Sequence, residues 1–281
     1  MQTPPNLFDH ELLAQRRARA ASFGAEGEFL HHEIADQVSE RLEEVNKTFT
    51  RAAVIGPKAD LWSEILGNTV FSPVKDQETL DLEENSLDVV VHGLALHWAN
   101  DPVGQLVQMR RALKSDGLMI AAMFGGQTLN ELRTSLAEAE TEIEGGLSPR
   151  IAPMGEIRDL GGLIQRAGLA LPVADSVKLT VTYETPLHLM RDLRAMGETN
   201  VMHTRRKSSF RRETLMRAMD IYAEHFAEPD GRIPATFEIV FLTGWAPSET
   251  QQKPLRPGSA KARLADALKV PELNAGDKAK G

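Results

Sequence analysis

The chain of 281 residues contains no cysteine. Without a thiol it can form no disulfide, no thiolate zinc site, no iron–sulfur cluster and no cysteine nucleophile. Long apolar runs are also missing, because the longest one, from Gly117 to Gly125, is far shorter than the ~18 residues of a membrane-spanning helix. The sequence therefore predicts no membrane span, and this run is typical of a buried strand.

The amino terminus lacks the apolar core of a signal peptide. Arg16, Arg17 and Arg19 would suit a transit sequence, but Asp9 and Glu11 in the same segment argue against one. We therefore expect a cytoplasmic protein, and we interpret the early arginines as the solvated face of a helix.

Basic residues are in deficit: 32 Lys and Arg stand against 40 Asp and Glu, which gives a net charge of -8. An acidic chain is repelled by nucleic-acid phosphates and anionic membranes unless its basic residues are gathered in a patch. The best patch is the run His203–Lys207 with Arg211, Arg212 and Arg217. Such runs are usually solvated helix faces, although an acidic partner protein could dock there. The sequence predicts no nucleic-acid partner.

Several catalytic signatures are absent as well. The sequence holds no G-x-S-x-G nucleophile elbow and no P-loop. Neither the pair His31 and His32 nor the pair His92 and His97 has the i, i+4 spacing of a helical zinc motif. We therefore predict no metal site and none of the usual hydrolase or nucleotide-triphosphatase activities.

The chain does contain apolar strands that alternate with amphipathic helices. Strands predicted at 51–56, 87–93, 117–125 and 236–243 are largely apolar on both sides, which is typical of a mainly parallel sheet covered on both faces. The fold class is therefore α/β. The segment 177–183 alternates apolar and polar residues, so it belongs near a sheet edge.

Helix signals fill most of the remaining chain. Asp101 and Pro102 are typical of an N-cap and a first helical residue, and Thr128-Leu-Asn-Glu131 has the pattern of a capping box. The first predicted helix ends at about residue 21. The others cover about 28–45, 58–66, 102–113, 128–145, 156–167, 186–196 and 210–226.

Two sets of motifs indicate a family. The first set is Asp76-Gln-Glu-Thr-Leu80, Asp88-Val-Val-Val, Ala95-Leu-His-Trp-Ala-Asn-Asp101 and Leu113–Leu118. It resembles the Rossmann-like class I S-adenosylmethionine-dependent methyltransferases. The second set is Phe124–Arg133, Glu144–Arg150, Arg158–Gly162, Asp192–Asn200 and Ile233–Ile239. It resembles the arginine-hydroxylating assembly factors of mitochondrial complex I and their bacterial relatives, over roughly residues 7–245. Malonyl-carrier-protein methyltransferases of biotin synthesis are similar more distantly.

The resemblance implies a bacterial, cytoplasmic protein with a Rossmann-like class I methyltransferase domain at 28–246. A helical extension at 1–27 would precede it, a helical lid would lie at about 186–226, and a disordered tail would follow at 247–281. The tail has too few large apolar residues to offset its ordering entropy. Between Gly56 and Asp76 there is room for one helix and one strand. One strand–helix unit of the usual fold is therefore expected to be shortened or missing.

The resemblance also implies site residues. Gly56, Asp76 and the backbone around Leu94 and Leu96 match cofactor-binding positions, and Asp76 matches the residue that contacts the adenine amino group. The alternatives are a solvated loop acid and ordinary strand packing. His97 and Trp98 are candidate catalytic residues, with the imidazole as a base and the indole as a platform for the substrate. The alternatives are a structural histidine that caps the next helix and a packed tryptophan.

The first loop departs from the family pattern. Lys58 and Asp60 stand where the family has the second and third glycines, and Phe71–Val74 offers no carboxylate for the ribose hydroxyls. Side chains at glycine positions hold a ligand away from the backbone. We therefore expect S-adenosylmethionine to bind about ten- to a hundredfold more weakly than at an intact site.

Two functions remain open. The first is a cofactor-dependent enzyme that modifies a protein substrate, with a respiratory complex I subunit as the suspected partner, by methyl transfer or by hydroxylation. Hydroxylation would need an oxidant and a metal or other redox partner, and the sequence shows no ligand set that supplies one. The second is a catalytically inactive methyltransferase-fold binding module that acts as an assembly chaperone.

Overall fold

A computed structural model describes residues 6–67 and 69–251. Its sheet has six strands in the order β2-β1-β3-β4-β6-β5. The strands are β1 (Ala52–Ile55), β2 (Phe71–Val74), β3 (Leu87–Gly93), β4 (Leu113–Phe124), β5 (Ala170–Tyr183) and β6 (Ile233–Trp245). The first four strands pair in parallel, and β6 runs antiparallel to both β4 and β5. The predicted α/β class is confirmed.

Helices cover both faces of this sheet. They are α1 (His10–Ala20), α2 (Phe29–Glu44), α3 (Ala59–Ile65), α4 (Pro102–Ala112), α5 (Asn130–Glu144), α6 (Ile157–Arg166), α7 (Pro186–Ala195) and α8 (Arg212–Phe226). Two 3₁₀ helices, at Ala21–Gly27 and Leu96–Trp98, add short connections.

The central strands are buried on both sides, as their apolar sequences predict. Along β4, Ile120 and Ala122 belong to the apolar cluster on one face, while Met119 and Ala121 belong to the cluster on the other. Successive side chains of a strand point to opposite faces. A strand between two helical layers therefore needs apolar residues at every position.

In the described residues, one strand–helix unit of the fold that the resemblance implies is missing, as the short interval after Gly56 predicts. Strand β2 is the edge of the sheet, and the chain returns from Val74 to Leu87 without a helix. This return begins at the carboxyl ends of the strands, where it leaves Asp76 two residues after β2 ends, and then follows α4 to the amino end of β3.

The predicted capping box is wrong. Helix α5 begins at Asn130, and its N-cap residue Leu129 has a left-handed backbone with no side-chain cap. Thr128 instead donates its hydroxyl to the Glu238 carbonyl (3.1 Å), and the Glu131 carboxylate accepts hydrogen bonds from Thr236. Both side chains join α5 to β6, so tertiary contacts take the groups that a local cap would use.

The N-terminal helix packs on a smaller apolar cluster, which contains Leu13 with Trp98 and Val201 and is separate from the two clusters on the faces of the sheet. Asp9 caps α1 by accepting a hydrogen bond from Leu12 N (3.0 Å), and its own N–H donates to Val201 O (2.9 Å). Gly27 lies against α7, where a Cβ would come within 2.3 Å of the Ala195 carbonyl. The segment 6–27 is therefore packed against the residues that surround α7.

The described residues up to 247 form one compact unit, and residues 248–251 belong to a second. Of the second unit, residues 248–251 form a turn in which Ser248 N donates to Gln251 Oε1 (3.1 Å). The disordered tail predicted from the sequence lies, from residue 252 onward, outside the described residues. Within the described ranges, no helix has the length and apolar character to cross a membrane.

Candidate functional site

Two cavities open near the carboxyl ends of the parallel strands, where α/β proteins commonly bind ligands. The first, which we call the Asp76 cavity, has a volume of about 530 Å³. Loops after β1, β2 and β3 form its floor, and α1 forms its roof. Its walls include His10, Arg17, Gly56, Asp76, Ala95 and Trp98.

Gly56 and Asp76, which the family resemblance singles out, both line this cavity. Gly56 has φ +154°, and a Cβ there would lie 2.6 Å from the Gly93 carbonyl oxygen. Only glycine lets the loop after β1 lie so close to the end of β3. Leu94 and Leu96 are buried in the two apolar clusters, so Ala95 between them forms this part of the wall.

The two residues that replace glycines lie away from the cavity. Lys58 pairs with Glu28 of the preceding segment (2.6 Å), and Asp60 is exposed in the first turn of α3. Neither is among the residues that line the cavity. The steric argument for weak cofactor binding therefore does not hold in this structure.

Arg17 forms the opposite wall, and its interpretation as a solvated residue is wrong. Its Nη1 donates to Asp76 Oδ2 at 2.5 Å, and the two side chains are only 16% and 14% exposed. Nε and Nη2 of Arg17 are buried without a hydrogen-bond partner in the described residues. Two donors are therefore left for acceptor atoms of a ligand.

The second cavity, which we call the Glu198 cavity, has a volume of about 640 Å³. It lies between α5, α7 and the loop that follows α7. Most of its wall is apolar or aromatic, and Trp98 belongs to both cavities. The apolar and aromatic members include Trp98, Phe124, Leu132, Met154, Met190 and Phe237.

A buried carboxylate stands in that wall. Glu198 Oε2 accepts hydrogen bonds from Trp98 Nε1 (2.7 Å) and His97 Nε2 (3.1 Å). Burial raises the pKa of Glu198. The nearby His97 and Arg17 and the hydrogen bonds from His97 and Trp98 lower it by more, so the pKa lies below the ordinary value. Glu198 was missed as a site residue, although it belongs to the motif Asp192–Asn200.

His97 and Trp98 thus come together as the sequence predicts, but around a carboxylate. The His97 ring also packs against Phe124, with centroids 4.8 Å apart. His97 does not cap α4, because Asp101 caps it by accepting from Gly104 N (2.8 Å). The roles of His97 and Trp98 in a reaction remain predictions.

The basic run is less free than its sequence indicates. Arg205 pairs with Asp9 (3.3 Å), Arg206 with Glu144, and Arg217 with Glu142 (2.6 Å). Arg205, Arg206 and Lys207 line the Glu198 cavity rather than a helix face. The run therefore forms part of the rim of that cavity.

The remaining buried histidines have structural partners. His31 Nδ1 accepts a hydrogen bond from Trp62 Nε1 (3.0 Å), and His92 Nε2 bonds Gln105 Oε1 (2.9 Å). Burial lowers the pKa of each to about 4. In the described part of the chain, no three His, Asp or Glu side chains are grouped to hold a metal ion.

Comparisons with known proteins agree with this geometry. A family model described as "Methyltransferase domain" matches residues 58–121. The mitochondrial arginine-hydroxylase NDUFAF5 of Danio rerio is 36% identical over 95% of this chain and 91% of its own length. The human protein of the same name is 35% identical over 95% and 85%. A malonyl-[acyl-carrier protein] O-methyltransferase of Halorhodospira halophila is 29% identical over 85% and 90%.

These names contradict the expected location. The zebrafish and human relatives, which align along 95% of the chain, are mitochondrial proteins, whereas the sequence favoured a cytoplasmic, bacterial one. Charge and apolar content at an amino terminus are a weak guide to location.

Proposed function

The chain belongs to the family of the arginine-hydroxylase NDUFAF5, within the S-adenosylmethionine-dependent methyltransferases, and from this membership we propose that it modifies an arginine of a respiratory complex I subunit during assembly. One observation carries the proposal: the Asp76 cavity and the Glu198 cavity share the wall residue Trp98. A cofactor in the first and a side chain in the second would meet at this indole.

The Asp76 cavity fits S-adenosylmethionine. Its volume of about 530 Å³ lies in the ordinary range for small-ligand sites. The Asp76 carboxylate would accept hydrogen bonds from an amino group of the cofactor. The unpartnered Nε and Nη2 of Arg17 would donate to its carboxylate or hydroxyl oxygens. Arg17 would thus hold ribose hydroxyl oxygens as a donor, whereas the absent acid at the end of β2 would have accepted from the hydroxyls.

The chain's own residues would position the reactants. When bound, S-adenosylmethionine supplies an electrophilic methyl group. Gly56 keeps the loop after β1 close to the end of β3, and Trp98 and Phe124 line the space beyond with aromatic surface. Orientation of two reactants lowers the barrier of a transfer reaction. Hydroxylation would add an oxygen atom instead, and it would draw on an external oxidant.

The first prediction concerns Asp76→Asn. This change removes a charged acceptor and leaves the Arg17 guanidinium uncompensated in the cavity that would hold the positively charged cofactor. We expect the affinity for S-adenosylmethionine to fall about ten- to a hundredfold. S-adenosylhomocysteine, which has no sulfonium charge, should lose less. Isothermal titration calorimetry with both ligands measures the difference.

Asp60→Asn is the matched control, because it removes the same charge from an exposed position on α3 that does not line the cavity. Its affinity for both ligands should equal that of the unmodified protein. If both variants bind equally well, Asp76 is not a cofactor residue.

The second prediction tests the proposed function in cells. Deletion of the gene should lower the amount of assembled complex I and leave one arginine of a complex I subunit unmodified. Complementation with the unmodified gene should restore both, and Asp76→Ala should restore neither fully. Mass spectrometry of that arginine also separates the two reactions, because a methyl group and an oxygen atom add different masses.

A second candidate function is the inactive binding module. It is favoured by the ion pair between Arg17 and Asp76, since this pair engages the acid that the family resemblance assigns to the cofactor. In that case Asp76→Ala would restore complex I completely, and no arginine would change mass on deletion. Such a result would replace the enzyme with an assembly chaperone.

A further inference from the structure

The Glu198 cavity combines an apolar wall with one acid. Among the described residues that line it, Glu198 is the single carboxylate. Its side chain is 8% exposed, so more than nine tenths of it is withdrawn from water. Withdrawing a carboxylate from water is costly unless hydrogen bonds or opposite charges compensate for it.

The hydrogen bonds that stabilise Glu198 reach only one of its two carboxylate oxygens. Both donors, from His97 and Trp98, contact the same oxygen, Oε2. No hydrogen bond to Oε1 is found within the described residues. An ionised carboxylate offers about four acceptor positions, and two are used. The two bonds fix the orientation of the carboxylate and leave its other oxygen for a donor that enters the cavity.

The surroundings suit a flat cation. Trp98, Phe124 and Phe237 line the cavity beside Glu198. A guanidinium group stacks on aromatic faces and donates in its own plane to a carboxylate. An ammonium ion is more strongly hydrated, so it loses more hydration free energy when it enters an apolar cavity.

The rim of the Glu198 cavity is positively charged, in contrast to Glu198 itself. Arg16, Arg194 and Lys207 line the cavity and have no carboxylate partner among the described residues. They would repel a free arginine and attract acidic groups. An arginine between acidic residues of a peptide would suit both the basic rim and Glu198. The acidic residues would contact the rim, and the guanidinium would contact the Glu198 carboxylate.

We infer that Glu198 is the residue that receives the guanidinium group of the arginine substrate, in a peptide segment with acidic neighbours. This inference rests on the proposed function. His97 and Trp98 act through Glu198 as positioning residues, because they hold its Oε2.

A binding experiment tests this without any turnover. The probes are two blocked peptides with the sequence Asp-Gly-X-Gly-Asp, in which X is arginine or citrulline, its uncharged isostere. In calorimetric titrations of the full chain, the arginine peptide should bind at least about tenfold more tightly. Equal affinities for the two peptides, or no binding of the arginine peptide, would overturn the inference.

Glu198→Gln should remove the preference for arginine over citrulline. Glu64→Gln, which removes an exposed acid from α3, should keep it in full. A preference that survives in Glu198→Gln would assign the guanidinium to another residue. If circular dichroism shows that Glu198→Gln does not fold, Glu198→Asp replaces it. This variant keeps the negative charge, but its shorter side chain moves the carboxylate away from the cavity. An unchanged preference in that variant would also overturn the inference.

A further variant separates recognition from packing. Trp98→Phe removes one of the two bonds to Oε2 but keeps the Glu198 carboxylate, so the preference for arginine should shrink without vanishing. Failure of the inference and failure of the proposed function give different results. Selective binding of the arginine peptide, with no change of arginine mass on gene deletion, would support Glu198 as a receptor and reject the enzyme. Modification of the arginine without selective peptide binding would support the enzyme and reject Glu198 as the receptor.

Discussion

Lowering the pH from about 7.5 to about 5 is expected to reduce the free energy of unfolding by about 4 kcal/mol. Burial lowers the pKa of both His31 and His92 to about 4 in the folded protein, whereas the ordinary value is ~6.5. Between these values the unfolded chain binds more protons than the folded one. Stability is therefore present above pH ~6.5 and is lost as the pH falls toward 4.

The charges near each histidine modify this effect without reversing it. Glu198 and Glu28 favour protonation of His31, and Lys58 and Arg17 oppose it. Asp76 and the bond with Gln105 favour protonation of His92, while His97 and Arg17 oppose it. In both cases burial is the largest cause, so the direction follows from burial.

Urea unfolding at a series of pH values measures this slope. A double variant, His31→Gln with His92→Gln, carries no titrating ring at either position and should show a much flatter profile, whatever its stability at neutral pH. A profile of the unmodified protein that changes by less than about 1 kcal/mol over this range would show that the rings are solvated or already charged.

Replacement of Glu140 by Ala is expected to cost about 3–5 kcal/mol, the usual loss when one partner of a buried ion pair is removed. The Glu140 side chain is 1% exposed and pairs with Arg150, which is 13% exposed. It also accepts hydrogen bonds from the backbone and hydroxyl of Ser148, at 2.8 and 3.0 Å. The variant would leave a buried guanidinium without its anion.

The same helix offers the control. Glu142 pairs with Arg217 at 2.6 Å, but these side chains are 42% and 31% exposed. Exposed pairs contribute little because water screens them. Glu142→Ala should therefore leave the melting temperature almost unchanged, while Glu140→Ala lowers it strongly. Equal shifts in a thermal unfolding experiment would mean that burial does not decide the strength of these pairs.

Glu140 also shapes the Glu198 cavity. Ser148 and Arg150 belong to the loop after α5, and Pro149, Arg150 and Ile151 line the cavity. We expect a loss of the Glu140 network to disturb the wall opposite α7 as well as overall stability. The melting temperature therefore has to be measured beside any binding result for this loop.

The sequence predicted most of the elements because their apolar patterns are local. Strand β3 was predicted at its observed bounds, and Asp101 caps α4 as expected. The pattern Thr128 to Glu131 failed because a capping box and a bridge to β6 use the same side chains. Only the position of Thr236 decides between them, and that position comes from the folded chain.

The site was predicted in part for the same reason. Gly56 and Asp76 follow neighbouring strands, so their proximity could be expected from a parallel sheet. Glu198 is 100 residues from Trp98, and no local pattern marks a carboxylate that becomes buried through such a contact. Arg17 was misinterpreted because arginines on an N-terminal helix are usually exposed, and only the packing of α1 over the Asp76 cavity shows otherwise.

Consecutive residues of α1 enter different cavities: Arg16 lines the Glu198 cavity and Arg17 the Asp76 cavity. Successive side chains on a helix are fixed at about 100° to each other. Any rotation of α1 that releases Arg17 from Asp76 therefore also moves Arg16 in the neighbouring cavity. A ligand that turned α1 from one cavity would therefore also change the other cavity, and the effect on affinity would be reciprocal.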